Sequence, residues 1–497
     1  MKTVSSCYYL RPNMVMVLPN RVIVLRIKIF KRNLGQQINT YATSCDRKAA
    51  IQCSSKNEKN AVLNTLVERR NMATRRKRTV LMVNDEWGTA KGGISTVHRQ
   101  IASIAVEAGL EVYVTALKVD EKDRKDAEDT KIKMILTPRA DPYMSDKTPS
   151  LDWLLYHQTF FPHLREAIPK LDIIIGHAPI THDATLKMHE DVFTEANSLL
   201  FNHVIPEDTE TYKSTWTPQR VQEKESRLFE AAGKFDIICS VGPRMKDHFS
   251  NKYRALSDPT CKHTHIEFIP RPDDKFFDIE MKEAPKNFEG CVFWVIAVGR
   301  VKGVEKLKGY DLVAKAMGNV AKSFQSMFKQ PPKLVIRGIP RDESEETKEF
   351  FTRHQSPYLD VVMKSYGTQD DIRIDFQQSH LCIMASRSEP FGMIGLEAMA
   401  TGIPTLVTKN SGLAEFINKD KNLSIYEESV VVDVGCNPSA DESDIHQWEK
   451  AIRNVLSNYN VAFKRARQIK EILSKSEAIK KSIEDFKSVL RGTYNGD

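Results

Sequence analysis

The strongest constraint on the fold is a regular alternation of short apolar runs with helical segments. Helical periodicity is clearest after the first run, where Ile94, Val97, Ile101, Ile104 and Ala105 share one face. Short apolar runs between turn residues are typical of strands buried on both faces, and their alternation with helices predicts parallel sheets. The runs form two series, at 79–85, 111–117, 171–176, 198–205, 235–242 and 265–270, and at 292–299, 333–338, 380–385, 403–407 and 429–435. The sequence therefore predicts an α/β chain with two Rossmann-like, doubly wound parallel sheets.

A charged, proline-bearing stretch at 271–290 separates the two series and is interpreted as a linker. We predict a basic arm over 1–78, a first Rossmann-like domain over 79–275 and a second over 276–460. The sequence leaves open whether helices over 461–497 return to the first domain. Because ligands bind at the carboxyl ends of doubly wound strands, two facing domains would enclose a cleft and hinge at the linker.

The net charge of +8 is concentrated at the amino terminus. Residues 1–78 contain 17 of the 73 basic and 3 of the 65 acidic residues, which leaves 56 and 62, a balance of −6, for the body. A mildly acidic body argues against nucleic-acid binding. The apolar stretch 14–30 is interrupted by Arg21, Arg26 and Lys28, which argues against a membrane span. It alternates like a strand, which argues against the amphipathic helix of an organelle targeting segment.

We predict that residues 1–78 are a disordered basic tail, whose removal leaves folding and activity intact. Organelle targeting by residues 1–45 and weak peripheral membrane contact through the arm are the alternatives.

The eight cysteines are scattered without a CxxC pair, which indicates reduced thiols and a cytoplasmic location. Cys261, His263 and His265 lie close in sequence, but a fourth ligand at zinc-site spacing is missing. The sequence also contains no HExxH motif, which argues against a metallohydrolase. We predict no metal site and no cofactor.

The stretch EPFGMIGLEAMATGIP, at 389–404, places two carboxylates in a small, apolar segment. We predict a buried helix over 392–400, whose first amides would form a phosphate site at the positive end of its dipole. Those amides belong to Gly392, Met393 and Ile394. Glu397 inside the helix would need hydrogen-bond donors, which sugar hydroxyls can supply. Alternatively, Glu397 bonds to neighbouring backbone and Glu389 only complements the dipole.

A glycine loop precedes the first predicted helix. Gly88 and Gly93 have P-loop spacing, but Ile94 stands where the lysine would be, which argues against an NTPase. Gly92 and Gly93 would let the backbone approach a ligand closely and expose amide donors to an anion. A plain tight turn is the alternative.

Three segments resemble motifs of the retaining glycosyltransferases related to glycogen synthase and sucrose synthase, the family 4 or group 1 type. Residues 389–417 resemble their E-x7-E signature, 84–114 resemble their glycine loop and helix, and 298–313 resemble their GR…KG element. The motifs occur in the family's order across 79–460. The resemblance implies the GT-B fold, in which two Rossmann-like domains face each other across a cleft.

The resemblance also implies residue roles. Arg300 and Lys308 would neutralise the leaving diphosphate. Glu389 would hold the hydroxyls of the donor sugar, and Glu397 would bind the nucleotide ribose. His177 corresponds to a histidine beside the donor sugar, although a histidine packed on a strand end is the alternative. The remaining donor-binding groups would come from Gly92, Gly93, Gly392, Met393 and Ile394.

The expected activity is transfer of a hexose from a UDP- or GDP-linked sugar to an acceptor hydroxyl with retention, the first domain binding the acceptor. The family view is front-face attack in which the leaving phosphate helps to take the acceptor's proton. No D-x-D motif is present, which fits a metal-independent reaction and argues against the metal-dependent GT-A type. The sequence does not identify the acceptor. A non-catalytic nucleotide-sugar binder or regulatory relative is the alternative.

Overall fold

The chain divides into two units, Met1–Arg76 and Lys77–Asp497. The computed structural model describes residues 14–18, 21–25, 76–88, 92–137, 151–155, 160–212, 217–255, 264–280, 292–326, 330–340, 349–351, 356–435 and 441–494.

In the first unit, β1 (Met14–Leu18) and β2 (Arg21–Leu25) pair antiparallel. This hairpin agrees with the strand-like alternation of that stretch. The rest of the predicted disordered arm lies outside the described residues, apart from 76–78.

The first sheet of the second unit has seven parallel strands in the order β5-β4-β3-β6-β7-β8-β9. The strands are β3 (Thr79–Met82), β4 (Glu111–Ala116), β5 (Ile132–Leu136), β6 (Ile173–Ala178), β7 (Asn197–Asn202), β8 (Ile237–Val241) and β9 (Thr264–Phe268). The helices are α1 (Gly93–Glu107), α2 (Glu121–Asp129), α3 (Phe160–Ala167), α4 (His182–Asp191), α5 (Pro206–Glu210), α6 (Pro218–Ala232), α7 (Pro243–Ala255) and α8 (Asp274–Phe277). A 3₁₀ turn spans Leu151–Leu155. The strand order reverses between β3 and β6, which is the topological switch point of a doubly wound sheet.

The second sheet has six parallel strands in the order β12-β11-β10-β13-β14-β15. The strands are β10 (Trp294–Val298), β11 (Lys333–Ile339), β12 (Asp360–Ser365), β13 (Leu381–Met384), β14 (Thr405–Thr408) and β15 (Val431–Val432). The helices are α9 (Tyr310–Ser323), α10 (Gln369–Gln378), α11 (Met393–Thr401), α12 (Gly412–Lys419), α13 (Glu427–Val430), α14 (Asp441–Ser457), α15 (Tyr459–Ser474) and α16 (Glu477–Arg491), with a 3₁₀ turn at Ser424–Tyr426. Its switch point lies between β10 and β13. The predicted pair of doubly wound sheets is confirmed.

Two strands were missed by the sequence analysis, and both are edge strands. Only two of the five residues of β5 are buried, Ile132 and Ile135, and every residue of β12 is at least partly exposed. A search for continuous apolar runs finds strands that are buried on both faces, whereas an edge strand has less apolar surface to bury.

The last helix, α16, packs against the first sheet. The ring of Phe486 lies 5.5 Å from that of Phe201 and 5.4 Å from that of Phe268, centroid to centroid. The backbone N–H of Ile269 also donates to Ser482 Oγ at 2.7 Å. The core of the first domain therefore includes residues from the carboxyl end of the chain. Among the described residues, no helix has both the length and the apolar character needed to cross a bilayer.

Arg78 belongs to the folded body, although the sequence analysis assigned it to the arm. Its Nη1 donates to the backbone O of Leu490, at the end of α16, at 2.8 Å. This bond agrees with a boundary after Arg76, two residues earlier than the sequence suggested.

We expect a chain that begins at Lys77 to fold and bind ligand like the full chain, because Arg78 keeps its contact with α16. A chain that begins at Thr79 should lose about 2 kcal/mol of unfolding free energy, because it lacks this bond and also the bond from Glu111 N to Arg78 O at 2.9 Å, each worth about 1 kcal/mol. Urea unfolding of both measures the difference. Arg78→Ala in the full chain is the matched control and should show about half of the loss, because it keeps the backbone bond to Glu111. A Lys77 chain that does not fold would contradict the prediction.

Candidate active site

The switch points of the two sheets open onto one cavity of about 430 Å³. The first domain contributes the start of α1 and the segments after β3, β6 and β7, and the second contributes the segments after β10 and β13 and the start of α11. Parallel strands bring loops from distant parts of the chain to one edge, where ligands bind. Of the ten residues that the sequence analysis named, nine line the cavity: Gly92, Gly93, Arg300, Lys308, Glu389, Gly392, Met393, Ile394 and Glu397.

Lys308 and Glu389 form an ion pair in the wall of the cavity. Lys308 Nζ lies 2.6 Å from Glu389 Oε2, and Ser386 Oγ donates to the same oxygen at 2.9 Å. Both charged side chains are partly exposed, at 25% and 16%. In the absence of a ligand, each of these two charges therefore neutralises the other.

Buried Arg387 joins the loops that carry this pair. Its guanidinium donates to both carboxylate oxygens of Asp311 at 2.9 Å and to the backbone O of Lys306 at 2.6 Å. Its backbone N–H donates to Leu307 O at 2.8 Å. The segment after β13 is thereby tied to the segment before α9, which explains why Lys308 meets Glu389 from 81 residues away.

Arg300 lies just after β10 and is exposed to the cavity. Within the described part of the chain its guanidinium makes no hydrogen bond or ion pair, so its donors are available to an anion. The preceding residue is fixed, because Tyr310 Oη donates to Gly299 O at 2.7 Å. Burial, together with the charge of Glu389, raises the pKa of Tyr310, which keeps that hydroxyl protonated.

The amino terminus of α11 also faces the cavity. Gly392 precedes the helix at φ +112°, a backbone conformation that favours glycine, and a Cβ there would displace only the flexible end of Met384. The first helical hydrogen bond runs from Leu396 N to Gly392 O at 3.2 Å. The amides of Met393 and Ile394 precede that bond and carry the positive end of the helix dipole.

Glu397 is buried within α11 but lines the cavity, at 1% exposure. Its Oε2 has no hydrogen-bond partner. Burial and the nearby charge of Asp273 raise the pKa of Glu397 to about 8, against the opposing effect of a hydrogen bond from Gln369. The carboxyl is therefore mainly protonated at neutral pH, and donors from a ligand would favour its ionised form.

Gln369, the first residue of α10, was missed by the sequence analysis. It lines the cavity, and its Oε1 is buried without a hydrogen-bond partner, like Glu397 Oε2. Gln369 Oε1 can only accept, and Glu397 Oε2 becomes an acceptor when the carboxyl ionises, so the two oxygens suit a ligand with hydroxyl or N–H donors. A glutamine at a helix start carries no signal of this role, because the role depends on its proximity to α11.

The glycine loop enters the cavity through α1. Gly92 has φ +125°, which favours glycine, whereas a Cβ on Gly93 would meet nothing within 4 Å. The loop stem is held by Asp126 Oδ2, which accepts from Trp87 Nε1 at 2.8 Å and from Arg99 Nη2 at 2.5 Å. Loop residues 89–91 lie outside the described residues.

His177 is the tenth named residue, and it does not line the cavity. It is fully buried, and its Nδ1 lies 2.8 Å from Nε2 of His203, which does line the cavity. Its Nε2 lies 2.9 Å from Nδ1 of His98 on α1. The structure thus places His203 between His177 and the cavity. Sequence analysis named neither of its partners, because each lies inside an ordinary helical or strand pattern.

Two facing, doubly wound sheets that share a cavity at their switch points define the GT-B class of folds. The chain belongs to the family described as family 4 glycosyltransferase in conflict systems, whose model matches residues 81–483. This match confirms the resemblance found in the sequence.

The chain is also similar to individual proteins. It is 32% identical over 228 residues to mannosylfructose-phosphate synthase of Agrobacterium fabrum, covering 43% of this chain and 46% of that protein. It is 24% identical over 209 residues to D-inositol 3-phosphate glycosyltransferase of Paenarthrobacter aurescens, covering 40% and 47%. The chain thus spans less than half the length of these curated relatives.

Among solved structures, sucrose-phosphate synthase from Thermosynechococcus elongatus matches with a TM-score of 0.62 at 16% identity, over 84% of this chain and 99% of that chain. An E. coli structure described as trehalose-6-phosphate bound with UDP-2-fluoro glucose matches with a TM-score of 0.54 at 13% identity, over 83% and 99%. At these identities the similarity concerns the fold.

We expect Glu397→Gln to change how stability depends on pH. In the wild type, the folded carboxyl (pKa about 8) binds a proton that the unfolded one (4.5) releases, so stability should fall as pH rises from 4.5 through 8. Relative to the wild type, the glutamine variant should gain roughly 2–4 kcal/mol between pH 5 and pH 9. Urea unfolding across this range measures the gain, and parallel pH profiles for the two proteins would contradict the raised pKa.

Proposed function

We propose that this chain is a retaining hexosyltransferase that takes its sugar from a UDP- or GDP-linked donor. The observation that carries the proposal is a set of anion-binding groups on one wall of the cavity. Arg300, Lys308 and the amino terminus of α11 converge there, next to the two unsatisfied acceptors of Glu397 and Gln369. A nucleoside diphosphate sugar combines the matching groups, a doubly charged linker and several hydroxyls.

The diphosphate would be bound by the cationic groups. Arg300 has donors available, and Lys308 would exchange part of its contact with Glu389 for a phosphate oxygen. The amides of Met393 and Ile394 would bind a further oxygen, as helix termini bind anions elsewhere. Each of these groups stabilises negative charge, which grows on the diphosphate as it leaves.

The hydroxyls would be bound by the acceptors. Glu397 Oε2 and Gln369 Oε1 lack partners, and a ribose diol offers two donors to satisfy them. Glu389, freed in part from Lys308, would accept hydrogen bonds from hydroxyls of the transferred sugar. Both assignments extend the roles that the family resemblance implies.

In the proposed reaction, the bond between the anomeric carbon and the diphosphate oxygen breaks, and a bond from that carbon to the acceptor oxygen forms on the same face. The acceptor's proton passes to an oxygen of the leaving diphosphate. The protein contributes positioning and charge stabilisation by Arg300, Lys308 and α11. We propose that these groups supply the charge compensation without an added metal ion.

The acceptor would enter from the wall formed by the first domain. The names of two relatives, D-inositol 3-phosphate glycosyltransferase and mannosylfructose-phosphate synthase, indicate polyol or sugar hydroxyls as acceptors in those proteins. For this chain we propose an acceptor of the same broad class.

We also propose a cytoplasmic location. The two cysteines among the described residues, Cys239 and Cys382, are free and buried.

We expect one nucleotide family to stabilise the full chain in thermal-shift titrations against UDP, GDP, ADP and their common sugar conjugates. At 100 times its dissociation constant, a ligand should add about 2.7 kcal/mol, which raises the melting temperature by several degrees. The stabilisation should persist in chelator and be unchanged by Mg²⁺. Stabilisation only with Mg²⁺ would contradict the metal-independent proposal, and no stabilisation by any nucleotide would favour a non-catalytic protein.

We expect Lys308→Ala to lower turnover by about 10²–10³-fold, because a charge-stabilising donor at the leaving group acts mainly in the transition state. The Michaelis constant for the acceptor should change far less. Lys306→Ala is the matched control, since Lys306 is an exposed cation in the same loop whose side chain does not line the cavity. Equal losses in turnover and acceptor affinity for Lys308→Ala would argue against its place at the leaving group.

A further inference from the structure

Three buried histidines form a chain from the interior of the first domain to the cavity wall. His98 Nδ1 lies 2.9 Å from His177 Nε2, and His177 Nδ1 lies 2.8 Å from His203 Nε2. Their exposures are 0%, 0% and 7%, and only His203 lines the cavity. Burying an imidazole is costly unless its polar atoms are paired, and each of these rings is paired with another.

Each ring is held by a different element. His98 lies on α1, with its ring edge-on to buried Trp87 at a centroid distance of 6.0 Å. His177 lies on β6, and its backbone N–H donates to Thr181 Oγ1 at 3.1 Å. The ring of His203, just after β7, stacks on Phe201 at 6.0 Å and 25°. Three rigid supports therefore fix the order and the direction of the chain.

All three rings are neutral at physiological pH. Burial lowers the pKa of His177 to about 3 and lowers those of His98 and His203 well below their usual value, with the neighbouring histidines adding to the shift in both outer rings. Three neutral imidazoles carry three N–H groups, of which the two N···N contacts use two. The third N–H must lie at one of the two outer nitrogens, His98 Nε2 or His203 Nδ1.

The surroundings of the two ends differ. His98 Nε2 is buried and has no hydrogen-bond partner. The ring of His203 lines the cavity. Its Nδ1 makes no hydrogen bond within the described residues, and it is not one of the buried atoms without a partner. Orphaned buried N–H groups are rarer than orphaned acceptors, which favours the third N–H at the cavity. The donors then run from His98 to His177, and from His177 to His203.

We propose that His177 and His98 are positioning residues that fix the tautomer of His203, so that His203 presents an Nδ1–H donor to the cavity, where a sugar oxygen would accept it. The inference rests on the proposed function for the identity of the ligand as a sugar. The direct contact that the resemblance implied for His177 then belongs to His203. A neutral donor suits a hydroxyl oxygen of the transferred sugar or of the acceptor.

The tautomers can be measured directly in the full chain with ¹⁵N-labelled histidine. Two-bond ¹H–¹⁵N spectra distinguish protonated from bare ring nitrogens, and single histidine variants assign the signals. We expect protonated Nδ1 and bare Nε2 in all three rings. Protonated Nε2 on His98, with bare Nδ1 on His203, would mean that the hydrogen bonds run from His203 to His98, and would overturn the proposal.

His177→Phe tests whether His177 sets the tautomer of His203. With its Nε2 no longer accepting a hydrogen bond, His203 should lose its fixed Nδ1–H form and show a mixture of tautomers. An unchanged His203 signal would show that His177 does not act as a positioning residue. If this variant does not fold, the wild-type spectra still decide in which direction the three histidines donate their hydrogen bonds.

His203→Phe and His203→Asn form a matched pair for binding. Phenylalanine keeps the ring stack but removes the donor, whereas the asparagine amide places a donor close to the position of Nδ1. We expect His203→Phe to weaken binding of one sugar substrate by about tenfold, the usual value of one hydrogen bond, and His203→Asn to restore much of it. Binding of the free nucleoside diphosphate should be unchanged in both.

Two readouts identify the sugar. A weaker dissociation constant for the nucleotide sugar, with UDP or GDP unchanged, assigns His203 to the transferred sugar, whereas a raised Michaelis constant for the acceptor assigns it to the acceptor. No change in either would overturn the proposal. If the proposed function is wrong, the wild-type chain will not bind nucleotides. The tautomer spectra can still be interpreted in that case.

Discussion

The site depends on one constraint, that parallel strands end at the same edge of a sheet. Arg300 and Lys308 follow β10, Glu389 follows β13, and the strand order reverses between these two strands. Side chains from the loops that follow β10 and β13 therefore line the crevice at that reversal. The first sheet repeats the arrangement, with Gly92 after β3 and the turn after β6. Since both sheets follow the same rule, one cavity collects residues that are hundreds of positions apart.

Within this cavity, two charged groups are paired with each other, whereas two polar groups each have a buried oxygen without a partner. Lys308 and Glu389 neutralise each other, whereas Glu397 and Gln369 retain buried oxygens without partners. A buried acceptor without a partner costs about 1–3 kcal/mol, which a ligand with donors at the right places recovers. A ligand that lacks those donors recovers nothing, so the unsatisfied oxygens favour hydroxyl-rich ligands. The stability lost in the free protein thus contributes to selectivity in the complex.

The sequence predicted the fold well, because its signal is local. Strands buried on both faces must be apolar throughout, so the central strands of both sheets were found, while edge strands β5 and β12 were not. Charged groups such as Arg300 and Glu389 were found because they occur in recognisable motifs. The three paired histidines were missed because His98 and His177 are 79 residues apart and their rings meet only in the folded protein. Gln369 was missed for the same reason.

The contact between the two domains combines an exposed ion pair with a buried aromatic ring. Lys419 and Asp247 form an ion pair at 2.7 Å, but both side chains are more than half exposed, so the pair contributes at most about 1 kcal/mol. Phe391 packs on Gly242, where a Cβ would lie 2.4 Å from its ring, and is only 3% exposed. Exposing that ring would cost about 1.5–3 kcal/mol. The buried ring of Phe391, two residues before α11, therefore contributes more to the contact between the two domains than the exposed ion pair does.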